Sequence, residues 1–425
     1  MLLLLGGFLV LMLLGVPVAI AMAASSLLYI LVSGVTPDVT LAQRMIAGVE
    51  SFPLLAVPFF ILAGNFLTHG GVARRMINFA TSMVGHFHGG LALASILACS
   101  MFALVCGSSV ATVVAIGSIV LPAMVAHGYP MRFGAGVIIT AGSLGILMLP
   151  SIPKVIYAIS TNTSIGALFV AGLLPGILLA LMLAVVTWWI ARKNNYPRLA
   201  RAGWGARFKA FRESFWGLLL VVIIVGGIWS GAFTATEAAA MAAVYSFFVS
   251  IFVYKDLKMA DVPKVLKDSA NMSAMLLYII TNAVLFSFVL TNENLPHQLA
   301  DWLLSMNLGQ HGFLFVVNLV LLGAGNFMDP SSIILIMAPI FFPAAMQLGV
   351  NPVHFGILID VNMEVGLCHP PVGLNLYVAS GISKLGITEL TKAVMPWLLT
   401  MIVFLIIVTY WPWLTLVVPK AMGML

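Results

Sequence analysis

Residues 95–126 read SILACSMFALVC, then GSSV at 107–110, then ATVVAIGSIVLPAMVA. Both flanks are apolar, and Gly107-Ser108-Ser109 interrupts them. A helix that crosses a bilayer in one piece has no use for such a trio in its middle. A re-entrant hairpin does: one helix descends, the chain turns at Gly-Ser-Ser, and a second helix returns. Open backbone at membrane depth costs several kcal/mol per unpaired group, so it survives only inside protein or beside a polar cavity. There it is useful. The N–H groups and positive dipole of the returning helix suit an anion, and turn carbonyls and hydroxyls suit a sodium ion.

The same device recurs downstream. Gly325-Asn326-Phe327-Met328-Asp329-Pro330-Ser331-Ser332 stands in the corresponding place, with Asp329 suited to cap a helix and Pro330 to its first turn. Ser82-Met83, His88-Gly89 and Ser108-Ser109 match Ser305-Met306, His311-Gly312 and Ser331-Ser332, all 223 positions apart. Leu121-Pro122 with Gly128 matches Phe342-Pro343 with Gly349 at 221. Pro150, Tyr157, Ser160 and Gly166 match Pro370, Tyr377, Ser380 and Gly386 at 220. A collinear series of this length points to an internal repeat. The first repeat spans 1–190, a basic connecting loop spans 191–213, and the second repeat spans 214–425. Each carries a hairpin followed by a broken helix, at about 90–165 and about 313–385. Inverted repeats are a common plan among secondary transporters, with the binding site where the repeats meet.

The breaks are proline-rich. Leu149-Pro150-Ser151-Ile152-Pro153-Lys154 lies in repeat one, and Cys368-His369-Pro370-Pro371-Val372-Gly373 in repeat two. Proline removes a backbone hydrogen bond and disrupts the preceding turn, so two close together predict an unwound segment. A tip facing a break in each repeat makes two related cation sites flanking one substrate site. The first gathers Gly107, Ser108, Pro150 and Ser151; the second gathers Gly325, Asn326, Gly366, His369 and Pro370. The substrate is expected between the tips, at Ser108, Ser109, Lys154, Asp329, Ser331 and Ser332.

Charges inside apolar segments are costly and therefore informative. Lys154 follows the first break directly; it either neutralises a substrate carboxylate or stands in for a bound cation, against the simpler reading of a lysine snorkelling from a helix end. Asp360 and Glu364 are four apart and share one helix face entering the second break. Glu237 reads as a first-turn residue of a helix capped by Thr236. Histidines 86, 88, 127, 297 and 311 read as loop or interface residues, whereas His369 sits inside a break.

Composition sets the environment. The 425 residues are 62% hydrophobic and 8% charged, and mean hydropathy is +1.13. A soluble domain carries about 25% charged residues. Apolar runs long enough for a bilayer lie within 2–33, 165–191, 214–254 and 393–418, and the opening run lacks a charged leader, so it reads as a retained first helix. The net charge of +6 is concentrated in two loops, Arg192–Arg212 and Lys255–Lys267, which the positive-inside rule places in the cytoplasm. It is a topology marker and not a nucleic-acid surface. Cys99, Cys106 and Cys368 sit in apolar surroundings and give no disulfide framework or metal spacing. His-Glu-x-x-His and Gly-x-Ser-x-Gly are absent from the sequence, which argues against a membrane enzyme.

Together these motifs resemble the large membrane (M) subunit of tripartite ATP-independent periplasmic (TRAP) transporters. The resemblance is carried by Leu54–Gly64, the Gly107–Thr112 tip, Thr236–Ala240, Ala338-Pro339 with Pro343, Pro352–Gly356 and Pro370–Gly373, and it covers nearly the whole chain. It implies an all-α membrane protein of the ion-transporter superfamily, with two inverted repeats and an elevator-type moving domain. It implies sodium symport in the bacterial inner membrane, a small four-helix Q subunit and a soluble periplasmic substrate-binding protein. Asn362–Gly366 and Gly373–Val378 resemble the C4-dicarboxylate branch, with the sialic-acid branch as main rival and a binding-protein-independent sodium/anion symporter as a further alternative. Departures fall on the broken helices: Leu149 replaces a proline of the family, Lys154 an apolar residue and His369 a threonine.

Overall fold

The computed structural model describes residues 2–34, 43, 45–46, 48–148, 150–295, 298, 301–302, 305, 309–326, 328–370 and 373–425. Leu149, His297, Met306, Phe327, Pro371 and Val372, which enter the motifs above, lie outside the described residues. Among the described residues the fold is all helical, and eight helices are long and apolar enough to cross a membrane.

The first hairpin is Gly90–Cys106, a turn at Gly107-Ser108, and Ser109–Ala126. The second is Gly309–Gly325, a break before Asp329, and Pro330–Gln347. The first arm of the first hairpin is buried except along one edge at Leu93, Leu97 and Leu104, so it is mostly a core helix. Each hairpin ends alike. Gly128 and Gly349 adopt φ of +85° and +74°. Tyr129 N–H donates to Met124 O at 3.0 Å and Val350 N–H to Ala345 O at 2.9 Å, which closes the same left-handed helix terminus. A Cβ at Gly349 meets nothing within 4 Å, so Gly349→Ala isolates backbone strain. We expect it to cost roughly 1–2 kcal/mol, read as a lower melting temperature; an unchanged melting temperature contradicts this.

The broken helices follow. The first is Met131–Gly142 with the short Leu144–Leu147, a break, then Ile152–Thr161. The second is Pro352–Cys368, a break, then Leu374–Ser383. Both halves end on left-handed residues, Asn162 at +53° and Lys384 at +60°. Pro352–Cys368 is buried from Val353 to Cys368 on every face, making it the axle of the molecule.

The two repeats enter from opposite faces. The base of the first hairpin touches the first basic loop: Leu199 N–H donates to Gly85 O at 3.0 Å and the Tyr129 hydroxyl to Pro197 O at 2.7 Å. The second basic loop joins the same face, where Arg74 and Arg75 both pair with Asp256. From there Val262–Asn292 runs 31 residues to the far side. At about 1.5 Å per residue that is one full crossing. The second hairpin therefore starts on the far face. Ile387–Tyr410 confirms the polarity, since Glu389 pairs with Arg132 near the base of the first hairpin while the Tyr410 hydroxyl reaches His311 O at the base of the second.

Two local expectations change. Residues 2–33 are not one helix: Leu2–Leu13 and Val18–Ser33 are separated by Gly15 at φ +80° and by Pro17, and they pack on each other with Gly7 facing Ser25. Proline at the start of the second helix leaves a break that costs little. Thr236 is not the cap of its helix either. Thr234 is, in a reciprocal box in which its hydroxyl accepts from Glu237 N–H and Glu237 accepts from Thr234 N–H at 2.8 Å.

Candidate substrate and ion site

The turn at Gly107 presses onto the first break. An added Cβ at Gly107 would lie 2.0 Å from Pro150 O and 3.4 Å from Ser151 Cα. On the other flank, a Cβ at Gly145 would lie 2.6 Å from the Ser108 carbonyl. Backbone thus meets backbone, and Gly107, Ser108, Pro150 and Ser151 come together. The Ser151 hydroxyl is fully buried and finds no partner among the described residues. An oxygen buried in that way suits a cation that binds through oxygen.

The second tip is built in parallel. Gly366 lies on Gly325, with an added Cβ only 2.9 Å from Gly325 Cα. His369 Nδ1 is 2.8 Å from Asn326 Oδ1, and His369 N–H donates to Gly366 O at 3.2 Å. Pro370 is half-buried beside them. The expected second set therefore also assembles, with His369 turned to the asparagine of the tip.

Between the tips lies a cavity of about 510 Å³. Gly107, Ser108, Ser109, Asp329, Ser331 and Ser332 line it, and Val18–Ile20 with Met272–Ile279 close it from the other side. The N-termini of both returning helices, Ser109–Ala126 and Pro330–Gln347, open onto it. Two positive dipole ends thus face one cavity. A larger cavity of about 830 Å³ runs between Ser160, Ser287, Asn292 and Pro339 and contains none of the tip residues. The smaller cavity alone is lined by both tips, so it is the one that carries the chemistry.

Of the expected substrate residues, Asp329 and Ser109 line the cavity but are also held by hydrogen bonds within the protein, and Lys154 lies off the wall. The Asp329 carboxylate accepts from Ser332 N–H at 3.1 Å and from the Ser332 hydroxyl, so it caps its own helix while still lining the cavity. Ser109 has one hydroxyl proton and two acceptors, Gly142 O at 3.0 Å and Glu364 Oε2 at 2.9 Å. Lys154, expected beside the substrate, is not on the cavity wall and is fully buried, so it does not snorkel. Its ammonium turns to the carbonyls of Ile146, Leu147 and Met148, with Asp360 Oδ2 at 4.0 Å.

Sequence reasoning missed how Glu364 ties the site together. Gly142 O and Ile146 N stand four residues apart, the spacing of a helical hydrogen bond. At the opening in the first broken helix, Ser109 reaches the carbonyl and Glu364 Oε1 takes the Ile146 amide at 3.0 Å. One carboxylate of the second repeat thereby links a hairpin tip and a broken helix of the first. The available signal was the four-residue spacing of two acidic residues in an apolar helix. A second buried chain, Asn362 to Asn318 at 2.7 Å and Asn318 to Thr409 at 2.8 Å, fastens the axle to the second hairpin and to Ile387–Tyr410.

Residues 5–414 match the family model described as tripartite ATP-independent periplasmic transporter, DctM component. The chain is 59% identical to the C4-dicarboxylate TRAP transporter large permease protein DctM of Rhodobacter capsulatus, over 99% of this chain and 98% of that one. It is 53% identical to the protein of the same description in Pseudomonas aeruginosa, over 91% and 90%. The fold is similar to the YdaH transporter of Alcanivorax borkumensis, with a TM-score of 0.63 and 17% identity over 88% of each chain. With eight apolar spans among the described residues and paired hairpin tips, the chain belongs to the DctM family, the multi-pass large permeases of the tripartite ATP-independent periplasmic transporters.

Proposed function

We propose that this permease imports a C4-dicarboxylate across the bacterial inner membrane, coupled to sodium, with a small membrane subunit and a periplasmic binding protein as partners. The observation that carries the reading is the cavity of about 510 Å³ onto which two helix N-termini open. A dicarboxylate has two anionic ends, and each end suits one N-terminus. Relatives named for C4-dicarboxylates cover almost the entire chain, which supports the same substrate class.

Sodium follows from charge. A dianion buried without compensation is prohibitive, and Asp329 on the same wall makes it worse. The two tip–break sets supply turn carbonyls, the Ser151 hydroxyl and Asn326, oxygens suited to sodium. Two ions cancel the dianion; a third makes the cycle electrogenic and adds about 2.3 kcal/mol per 100 mV. The hairpins and broken helices would move as one body against the helices that hold Met272 and Val18, an elevator displacement between the two faces. The basic loops, read by the positive-inside rule, support an exit on the cytoplasmic side.

The test is uptake of radiolabelled succinate into proteoliposomes holding this chain and its small membrane subunit, with the binding protein outside. Uptake should require both the binding protein and an inward sodium gradient. Uptake by the chain alone, or full uptake in potassium, would refute the reading.

A further inference from the structure

The ammonium of Lys154 occupies a site built like one for a metal ion. Ile146 O is 3.1 Å from Nζ, Leu147 O 2.5 Å and Met148 O 3.4 Å, with the Asp360 carboxylate at 4.0 Å. These carbonyls end the short helix Leu144–Leu147, where the break removes their helical partners and the dipole is negative. Gly172 leaves room for the head group, since a Cβ there would fall 2.2 Å from Leu147 O and 2.6 Å from Nζ. Carbonyl oxygens plus one carboxylate, wholly enclosed, are the ligands that unwound transporter helices offer to sodium.

We propose that Lys154 is a tethered cation: its ammonium permanently fills a monovalent-cation position in the first broken helix, and sodium takes that position once the ammonium is removed. The inference rests on the sodium-coupled reading above and adds to it a residue that fixes how many ions are carried. An anchoring lysine with no such role would satisfy the same carbonyls, but sodium would not replace it.

The experiment compares purified wild type, Lys154→Ala and the double variant Lys154→Ala/Asp360→Asn. Melting temperature is measured from low to high sodium with potassium as balance, and the sodium order of uptake is measured in proteoliposomes. Melting of Lys154→Ala should rise more steeply with sodium than wild type, and its sodium order should increase by about one, as linkage requires for one added ion. The double variant lacks the carboxylate and should lose the added response. A Lys154→Ala slope equal to wild type overturns the proposal. So does a Lys154→Ala protein that stays unfolded in saturating sodium, or an added response that persists in the double variant. Wild-type uptake indifferent to sodium would instead refute the coupling reading, which keeps the two failures apart.

Discussion

Gly107→Ala is expected to abolish uptake, with the protein still inserted in the membrane. Gly107 sits at φ +62°, where a side chain costs roughly 1–2 kcal/mol. Strain alone in that range is about a tenfold effect on an equilibrium. The larger effect is steric. The new methyl would sit 2.0 Å from Pro150 O, and both partners are fixed to backbone, so no rotamer relieves the overlap. The tip must lift from the break, which pulls Ser108 away from Ser151 and opens the expected first cation set. Uptake more than about tenfold below wild type is therefore expected, with the loss in sodium dependence as well as in rate. Gly323→Ala, also in a hairpin, is the control: its Cβ meets nothing within 4 Å, and uptake should match wild type. Wild-type transport by Gly107→Ala would mean that the tip and break need not touch.

The tips and breaks were legible because they contradict their surroundings. Gly107-Ser108-Ser109 and Pro150-Ser151 stop apolar runs, and the offset of 220–223 positions showed that the stops recur. Local rules suffice for such features. The partners of Lys154 and Glu364 were not legible, because they arrive from afar: Glu364 meets Ser109 across 255 positions and Ile146 across 218. No periodicity encodes which buried polar groups will face each other. Asp329 was legible in both its roles, as a helix cap by residue type and as a cavity residue by its place at the second tip. At residues 2–33 the signal was present in Gly15 and Pro17, but uniform apolarity on both sides concealed a break that places Val18–Ile20 on the cavity wall.

Glu364→Leu should be the most damaging change away from the tips. The carboxylate is buried and is the partner of the Ile146 amide, which sits in the helix opening. Leucine is of similar size, so packing is largely kept and the lost bond dominates. A buried donor without a partner costs about 1–3 kcal/mol. Glu364→Gln separates geometry from charge. Its carbonyl can still accept from Ile146 N–H, and its amide can donate to the Ser109 oxygen while the Ser109 hydroxyl turns to Gly142 O. Every hydrogen bond is then kept and only the ionisable carboxyl is gone. The leucine variant should melt lower than wild type and fail to transport, while the glutamine variant should melt within about 1 kcal/mol of wild type, the scale of one neutral hydrogen bond. Uptake by the glutamine variant then reads what an ionisable carboxyl contributes to ion coupling. A leucine variant that melts and transports like wild type would show that the two repeats are not joined through this carboxylate.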